Sequence, residues 1–361
     1  MGEYGKLLSK CGYQVHLTRI PLAFMVGVSS VFNSIFAAGQ TLLKDSAVNS
    51  TAITEPPIFI IGHWRSGTTL THELLSKDSN LAFPCNYDAF VPWHFLMSSG
   101  IIKAPIKLLL PGRRPFDDMS IDVEYPQEDD FALMAMGAPS YYQRMGFPSQ
   151  QEDFTRLLDC ELFEPSERKR LADLALYFYK ALTLRYGKRL VLKSPPHTAR
   201  IRLLRELFPD AKFVHLSRHP TRIVPSTMRL WAISDIVHGF QWPLYSDEQL
   251  MEHIRVTKGI IYNAYKRDRD ELTDNQLVEI KFESLLADPA ETIRHIYGKL
   301  ELPDVEPVLE STREYFDQRS HHKQNRVPVD HLHAQIESEW SDYMEMFGYE
   351  KTTGAKAQVA G

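Results

Sequence analysis

One short stretch constrains this chain more than any other: Ile61-Gly62-His63-Trp64-Arg65-Ser66-Gly67-Thr68-Thr69-Leu70. The uninterrupted apolar run Pro57-Ile58-Phe59-Ile60-Ile61 leads into it and reads as a strand buried on both faces. After the turn, Leu70, Leu74 and Leu75 recur on one face of a helix. A strand–turn–helix unit of this kind aims backbone N–H groups at one spot, where the helix N-terminus also favours an anion. Gly67 permits close backbone approach, and Ser66, Thr68 and Thr69 add hydroxyl donors. Arg65 adds a planar charge that suits phosphate oxygens. The Gly62-to-Gly67 spacing equals that of a Walker A loop, but Thr68 stands where that loop needs its lysine. Without a lysine to reach the outer phosphates of a triphosphate, the loop is better matched to a single 5′-phosphate group.

Further strands are expected at Leu190-Val191-Leu192, at Lys212–Leu216 and, less buried, at Leu277–Phe282. Helices are expected from Pro165, from Asp247 towards Arg269, and from Pro289 to about Leu300. The alternation predicts an α/β fold in three layers, a parallel sheet covered by helices on both faces. We divide the chain into an N-terminal helical, hydrophobic segment (1–54), a catalytic domain (55–350) and a tail (351–361) expected to fray. The stretch between Phe83 and Tyr142 is irregular and reads as an excursion able to form a wall or lid over a substrate. Trp93, Phe95, Met97, Tyr141, Tyr142, Trp231 and Trp242 are either pocket wall or ordinary core.

A second anion site is suggested by Phe213-Val214-His215-Leu216-Ser217-Arg218-His219-Pro220, with Ser226 two turns into the following helix. Arg218 lies at the C-terminal end of a strand, where open α/β sheets bind ligands. With the first loop, this pattern resembles the sulfotransferase family. Its phosphosulfate loop is a basic residue followed by Ser-Gly-Thr-Thr, and its 3′-phosphate is gripped by a strand-end Arg and a Ser eight residues later. The Arg65 form is similar to the carbohydrate, protein-tyrosine and bacterial branches. Phe282-Glu283-Ser284-Leu285 resembles a third family segment, near the adenosine. The Gly-x-x-Gly-x-x-Lys element of the cytosolic enzymes is missing, and the basic stretch Gln318–Arg326 stands in its place. The resemblance covers residues 55 to 350. It implies a P-loop-like fold and 3′-phosphoadenosine 5′-phosphosulfate (PAPS) as sulfuryl donor, with no metal. The donor would be held by Arg65, Ser66, Gly67, Thr68, Thr69, Arg218 and Ser226.

The resemblance also assigns Lys193, at the end of the second long strand, to the leaving phosphate. The base that takes the acceptor's proton is left open by the sequence. His197 is the first choice, because imidazole titrates in the useful range. Asp88 is the second, because related enzymes place a carboxylate base in that region, and His94 is the third. Glu128-Asp129-Asp130 reads first as a helix start or a solvated cluster. A P-loop kinase, or a nucleotide- or glycan-binding protein on the same fold, are the competing readings.

The formal charge of −5 argues against a nucleic-acid binder. Three scattered cysteines give neither a disulfide framework nor a metal spacing, and His321-His322 lacks a carboxylate beside it. The expected partner is a small molecule, a glycan or a lipid. Ile20 to Leu43 carries no charged residue, long enough to span a bilayer yet diluted by Ser29, Ser30, Asn33, Ser34 and Gln40. It reads as a helix on the domain or on a membrane surface, as an anchor, or as a signal. The expectation is a cytoplasmic protein in contact with membrane through residues 20–43.

Overall fold

The structure is a computed structural model that describes residues 2–109, 122–150, 154–242, 245–319 and 332–352. Its principal elements run, in chain order, α1 (Ile20–Ser50), β1 (Ile58–Gly62), α2 (Thr68–Leu75), β2 (Leu81–Ala82), α3 (Phe95–Leu109), α4 (Asp129–Met136), α5 (Pro165–Tyr186), β3 (Arg189–Lys193), β4 (Lys212–Ser217), α6 (Pro220–His238), α7 (Asp247–Arg269), β5 (Leu277–Lys281) and α8 (Pro289–Lys299). Local chemistry sets the helix ends. Pro165 opens α5 behind a Glu164/Glu167 capping box, and Gly187 closes it at φ 62°. Ser246 and Gln249 form the same box at the start of α7.

The strands pair in the order β2-β3-β1-β4-β5, all parallel. All four strands expected from apolar runs are present. The added β2 is a two-residue edge strand, too short to announce itself by hydropathy. Every residue of β1 is buried, as its central place requires, whereas β5 alternates because it lies at the other edge. Successive side chains of a strand point to opposite faces, and the core divides accordingly. Phe59, Leu192 and Phe213 pack with Phe178 and Tyr179 of α5 and Ile261 of α7. Ile58, Ile60, Val214 and Leu216 pack with Leu74 and Leu75 of α2 and Ile293 and Ile296 of α8. These are the three layers.

The order of strands determines where a ligand can lie. β1 and β4 are neighbours, aligned from Ile58↔Lys212 to Gly62↔Leu216. The chain leaving β1 turns towards the β3 and β2 side, while the chain leaving β4 goes on to β5 at the opposite edge. The crevice between two such diverging connections lies beyond the carboxyl ends of the strands. Both expected anion motifs open into it.

Candidate active site

The loop after β1 takes a shape that only its glycines allow. Gly62 has φ 139°, and a Cβ there would stand 2.4 Å from the Leu216 carbonyl oxygen on β4. Gly67 has φ 108°, and a Cβ there would meet the Phe282 ring at 2.2 Å. Between them Arg65 adopts a left-handed φ of 67°, a conformation that costs a residue with a Cβ about 1–2 kcal/mol. The turn closes through Ser66 N–H to His63 O at 3.1 Å. Helix α2 then starts at Thr68, with Gly67 as its N-cap and no side chain capping it. Its first-turn amides therefore keep their donors for an external acceptor. The Ser66 hydroxyl oxygen is buried and has no hydrogen-bond partner among the described residues. An orphaned donor beside an uncapped helix N-terminus fits a phosphate group.

The two anion motifs meet. Arg65 Nε donates to Ser226 Oγ on α6 at 2.8 Å, and Arg218 donates from its guanidinium to the Arg65 carbonyl at 3.1 Å. Arg218 also lies 4.5 Å over the Phe282 ring. Burial pushes the Arg218 guanidinium down to about 10, with Glu283 opposing and the charges of Arg65 and Arg222 adding to the shift. At neutral pH it stays charged, in a place where neighbouring positive charge disfavours it, and a bound anion would relieve that. The Glu283 carboxylate accepts from His219 N–H at 3.0 Å and from the Tyr349 hydroxyl at 2.9 Å, which holds the turn after β4. Phe282 touches both Gly67 and Arg218. Its sequence signals were its aromatic character at a strand end and the resemblance of Phe282-Glu283-Ser284-Leu285 to a family segment.

On the other side of β1, Lys193 ends β3 with its side chain 4% exposed. Its Nζ donates to Glu128 Oε1 at 2.7 Å and to Thr69 Oγ1 of the loop at 3.4 Å. Glu128 is the residue just before α4 and is 13% exposed. Its other oxygen accepts from the Tyr142 hydroxyl and from Ser194 Oγ at 3.4 Å. Burial and the Glu128 charge hold the Tyr142 phenol well above its ordinary range, so it remains a donor. Trp64 Nε1 donates to the same phenol at 3.0 Å. The loop, the end of β3 and the start of α4 thus share one hydrogen-bonded chain.

The acidic run is not a solvated cluster. Its three members each hold one side chain of the β3 turn: Glu128 holds Lys193, Asp129 holds His197 Nε2 at 2.7 Å, and Asp130 holds Arg200 at 2.7 Å. Asp129 is fully buried. Burial works to raise its pKa, but the His197 contacts and the Tyr179 hydroxyl outweigh it and hold the carboxyl below the usual range. His197 is 1% exposed, and its ring meets Phe59 edge-on at 5.7 Å. That geometry fastens the turn to the core and engages Nε2 of His197, the first-choice base, with Asp129.

Asp88, the second candidate base, is also held by its neighbours. It is fully buried, accepts from Arg185 at 2.9 Å and from the Tyr186 hydroxyl at 2.7 Å, and caps its own short helix through Cys85 N–H. Its neighbours belong to α5, not to the phosphate loop. His94 is buried between Ser98 (2.8 Å) and Asn33 of α1 (3.2 Å) and joins two helices. Trp231, Tyr141 and Phe95 are core. Trp242 is exposed, beside Arg19 at the start of α1. The basic stretch expected to close over the 3′-phosphate lies almost wholly outside the described residues, as do His321 and His322.

Comparison with known proteins agrees with this geometry. The model of the sulfotransferase family matches residues 56–307. The chain is 32% identical over 356 residues to omega-hydroxy-beta-dihydromenaquinone-9 sulfotransferase Stf3 of Mycobacterium bovis and of Mycobacterium tuberculosis, covering 98% of this chain and 91% of the relative in each case. Among solved structures it resembles sulfotransferase STF1 of M. tuberculosis H37Rv, with TM-score 0.67, 16% identity, and 94% and 91% of the two chains covered. It also resembles sulfotransferase STF9 of Mycobacterium avium, with TM-score 0.66, 17% identity, and 87% and 82% covered. The crevice beyond β1 and β4 is therefore carried on a P-loop-like sulfotransferase fold, and the chain belongs to the sulfotransferase family.

Proposed function

We propose that this chain transfers a sulfuryl group from PAPS to a hydroxyl of an apolar, lipid-like acceptor, with Glu128 as the base and Lys193 as the cation at the leaving oxygen. The observation that carries the proposal is the Lys193–Glu128 pair at 2.7 Å, with Lys193 also in reach of Thr69 in the phosphate loop. The pair puts a carboxylate and a cation together beside the loop, which supports a proton-accepting role for one and a charge-balancing role for the other. The bound donor supplies the sulfuryl group, whose bond to the bridging phosphate oxygen breaks as the bond from the acceptor oxygen forms.

The residues divide the remaining work. Arg65, the Ser66 hydroxyl and the first amides of α2 would bind the 5′-phosphate, and Arg218 with Ser226 the 3′-phosphate. Lys193 would balance the negative charge left on the bridging oxygen. Glu128 would take the acceptor's proton on a carboxylate oxygen, and Tyr142 would hold that carboxylate in place by donating to its other oxygen. The buried pairs Asp129–His197 and Asp130–Arg200 would position Lys193 by fixing its turn. A base of this kind contributes ~10²- to 10⁴-fold.

The lipid-like acceptor rests on the Stf3 relatives, whose name gives them a hydroxylated menaquinone as substrate, at 32% identity across nearly the whole chain. The test is transfer of labelled sulfate from PAPS to a panel of hydroxylated isoprenoid quinones, simple sugars and phenols. Turnover confined to the isoprenoid members is the expected result, and turnover confined to sugars would overturn the acceptor assignment.

A further inference from the structure

We infer that the outward face of α1, together with the neighbouring face of α3, docks this protein on the surface of a lipid bilayer without crossing it. Leu17–Ser50 is long and apolar enough to cross a membrane by length and composition alone. How α1 is held argues against crossing. Its inward residues recur at helical spacing: Leu22, Ala23 and Val26 pack on the core, and Asn33 and Gln40 continue the same side. Several polar groups along the helix are bonded to the protein. Asn33 is bonded to His94 at 3.2 Å, fully buried Gln40 accepts from Leu96 N–H at 2.9 Å, and Asp45 accepts from the Tyr177 hydroxyl at 2.6 Å. Lys180 of α5 donates to the Asn49 carbonyl at 3.0 Å. A helix bonded at its middle to His94 and Leu96 and at its C-terminal end to the charged helix α5 cannot be surrounded by hydrocarbon, because those segments would have to enter with it.

The opposite side of α1 has no such partners. Phe24, Met25, Val28, Val31, Phe32, Ile35, Leu42 and Leu43 are exposed, with Phe24 at 70%, Ile35 at 64% and Leu42 at 86%. No charged residue interrupts this side from Ile20 to Leu43, a length of about 36 Å in a helix. A helix apolar on both sides is normally buried or in lipid. α3 packs against α1 and repeats the pattern: Ile101, Ala104, Pro105 and Leu108 all face outward. The first charges at the two ends of the α1 stretch are both basic, Arg19 and Lys44. At the N-terminal end Arg19 stacks 3.9 Å over the exposed Trp242 ring and donates to the Ile236 carbonyl at 2.6 Å. Exposed Ile236 and Val237 extend the apolar surface there. A long apolar face bounded by cations and an amphipathic tryptophan suits an anionic bilayer, with the face in the acyl boundary and the cations at the headgroups.

The full-length protein tests this by flotation with vesicles of equimolar phosphatidylcholine and phosphatidylglycerol, a measurement that requires no turnover and so stands apart from the proposed chemistry. The protein should float with the vesicles, and alkaline carbonate should release it. The variant Phe24→Asp/Phe32→Asp/Leu42→Asp should partition at least about a hundredfold less. These side chains project outward, so its melting temperature and its affinity for 3′-phosphoadenosine 5′-phosphate should be unchanged. Arg19→Ala/Lys44→Ala should weaken binding to the anionic vesicles while leaving binding to pure phosphatidylcholine as it was. Three results would overturn the inference. Protein that stays in the aqueous phase would remove the membrane. Protein that resists carbonate would make α1 a span. A dimer in lipid-free sedimentation that the triple variant dissociates would assign the face to a second copy of the chain.

Discussion

The substitution Glu128→Gln separates the proposed base from its structural neighbours. Glutamine has nearly the same shape, so its amide oxygen can still accept from Lys193, now 2.7 Å away, or from Tyr142. It cannot accept the acceptor's proton. A positioned base contributes ~10²- to 10⁴-fold, so kcat should fall by that factor, a barrier increase of about 3–5.5 kcal/mol. The affinity for 3′-phosphoadenosine 5′-phosphate should change by less than about threefold, because the phosphate contacts come from the loop and from Arg218. The assay is kcat with labelled donor beside calorimetry with the desulfated nucleotide. His197→Ala and Asp88→Asn are the controls. Each strips a partner from a buried hydrogen-bonded contact, at a cost of about 1–3 kcal/mol of folding stability for the Asp129 carboxyl that His197 leaves unpaired on that side. Their loss should appear in urea melts before it appears in kcat of the folded fraction. A Glu128→Gln enzyme that keeps near-full kcat, or a His197→Ala enzyme that folds normally and loses a hundredfold, would refute the assignment.

The remaining expectations concern the donor site and the brace beneath it. Arg65→Ala and Arg218→Ala each remove a charge-assisted contact worth about 1.5–3 kcal/mol, so each should weaken the desulfated nucleotide about tenfold or more by calorimetry; unchanged affinity in both would dismiss the donor site. Asp129 is held below the ordinary carboxylate range in the folded chain, so the unfolded chain binds more protons as the solution is acidified. Its contribution is therefore present above the ordinary aspartate pKa of about 4 and lost as the pH falls through and below it. Melting temperature followed from neutral to acid pH should decline there, and Asp129→Asn, less stable at neutral pH, should decline less steeply.

Much of the fold was legible because its signals are local. Apolar runs marked β1, β3, β4 and β5, prolines marked the starts of α5 and α8, and Asp247 marked that of α7. The phosphate loop was legible for the same reason, since Gly62 and Gly67 stand at positive φ within one turn. The base was not. Asp88 occupied the position a related motif suggests, and His197 had the favourable chemistry, yet both side chains are taken up by packing. Glu128 ranked below them because three adjacent acidic residues more often mark a helix start or a solvated cluster than a base. Here they are drawn inward by Lys193, His197 and Arg200, partners that lie 65 to 70 residues further along the chain.

The sequence by itself determined the elements, the loop and the residue types able to grip phosphate, because backbone preferences and glycine spacing act over a few residues. Only the tertiary structure decided which carboxylate faces the loop. It brought the turn after β3 against the start of α4, and it brought Ser226 of α6 within 2.8 Å of Arg65. The physical reason is that a side chain's role depends on what desolvates it and what charge stands opposite. Both are set by segments far apart in the chain, which packing alone brings together.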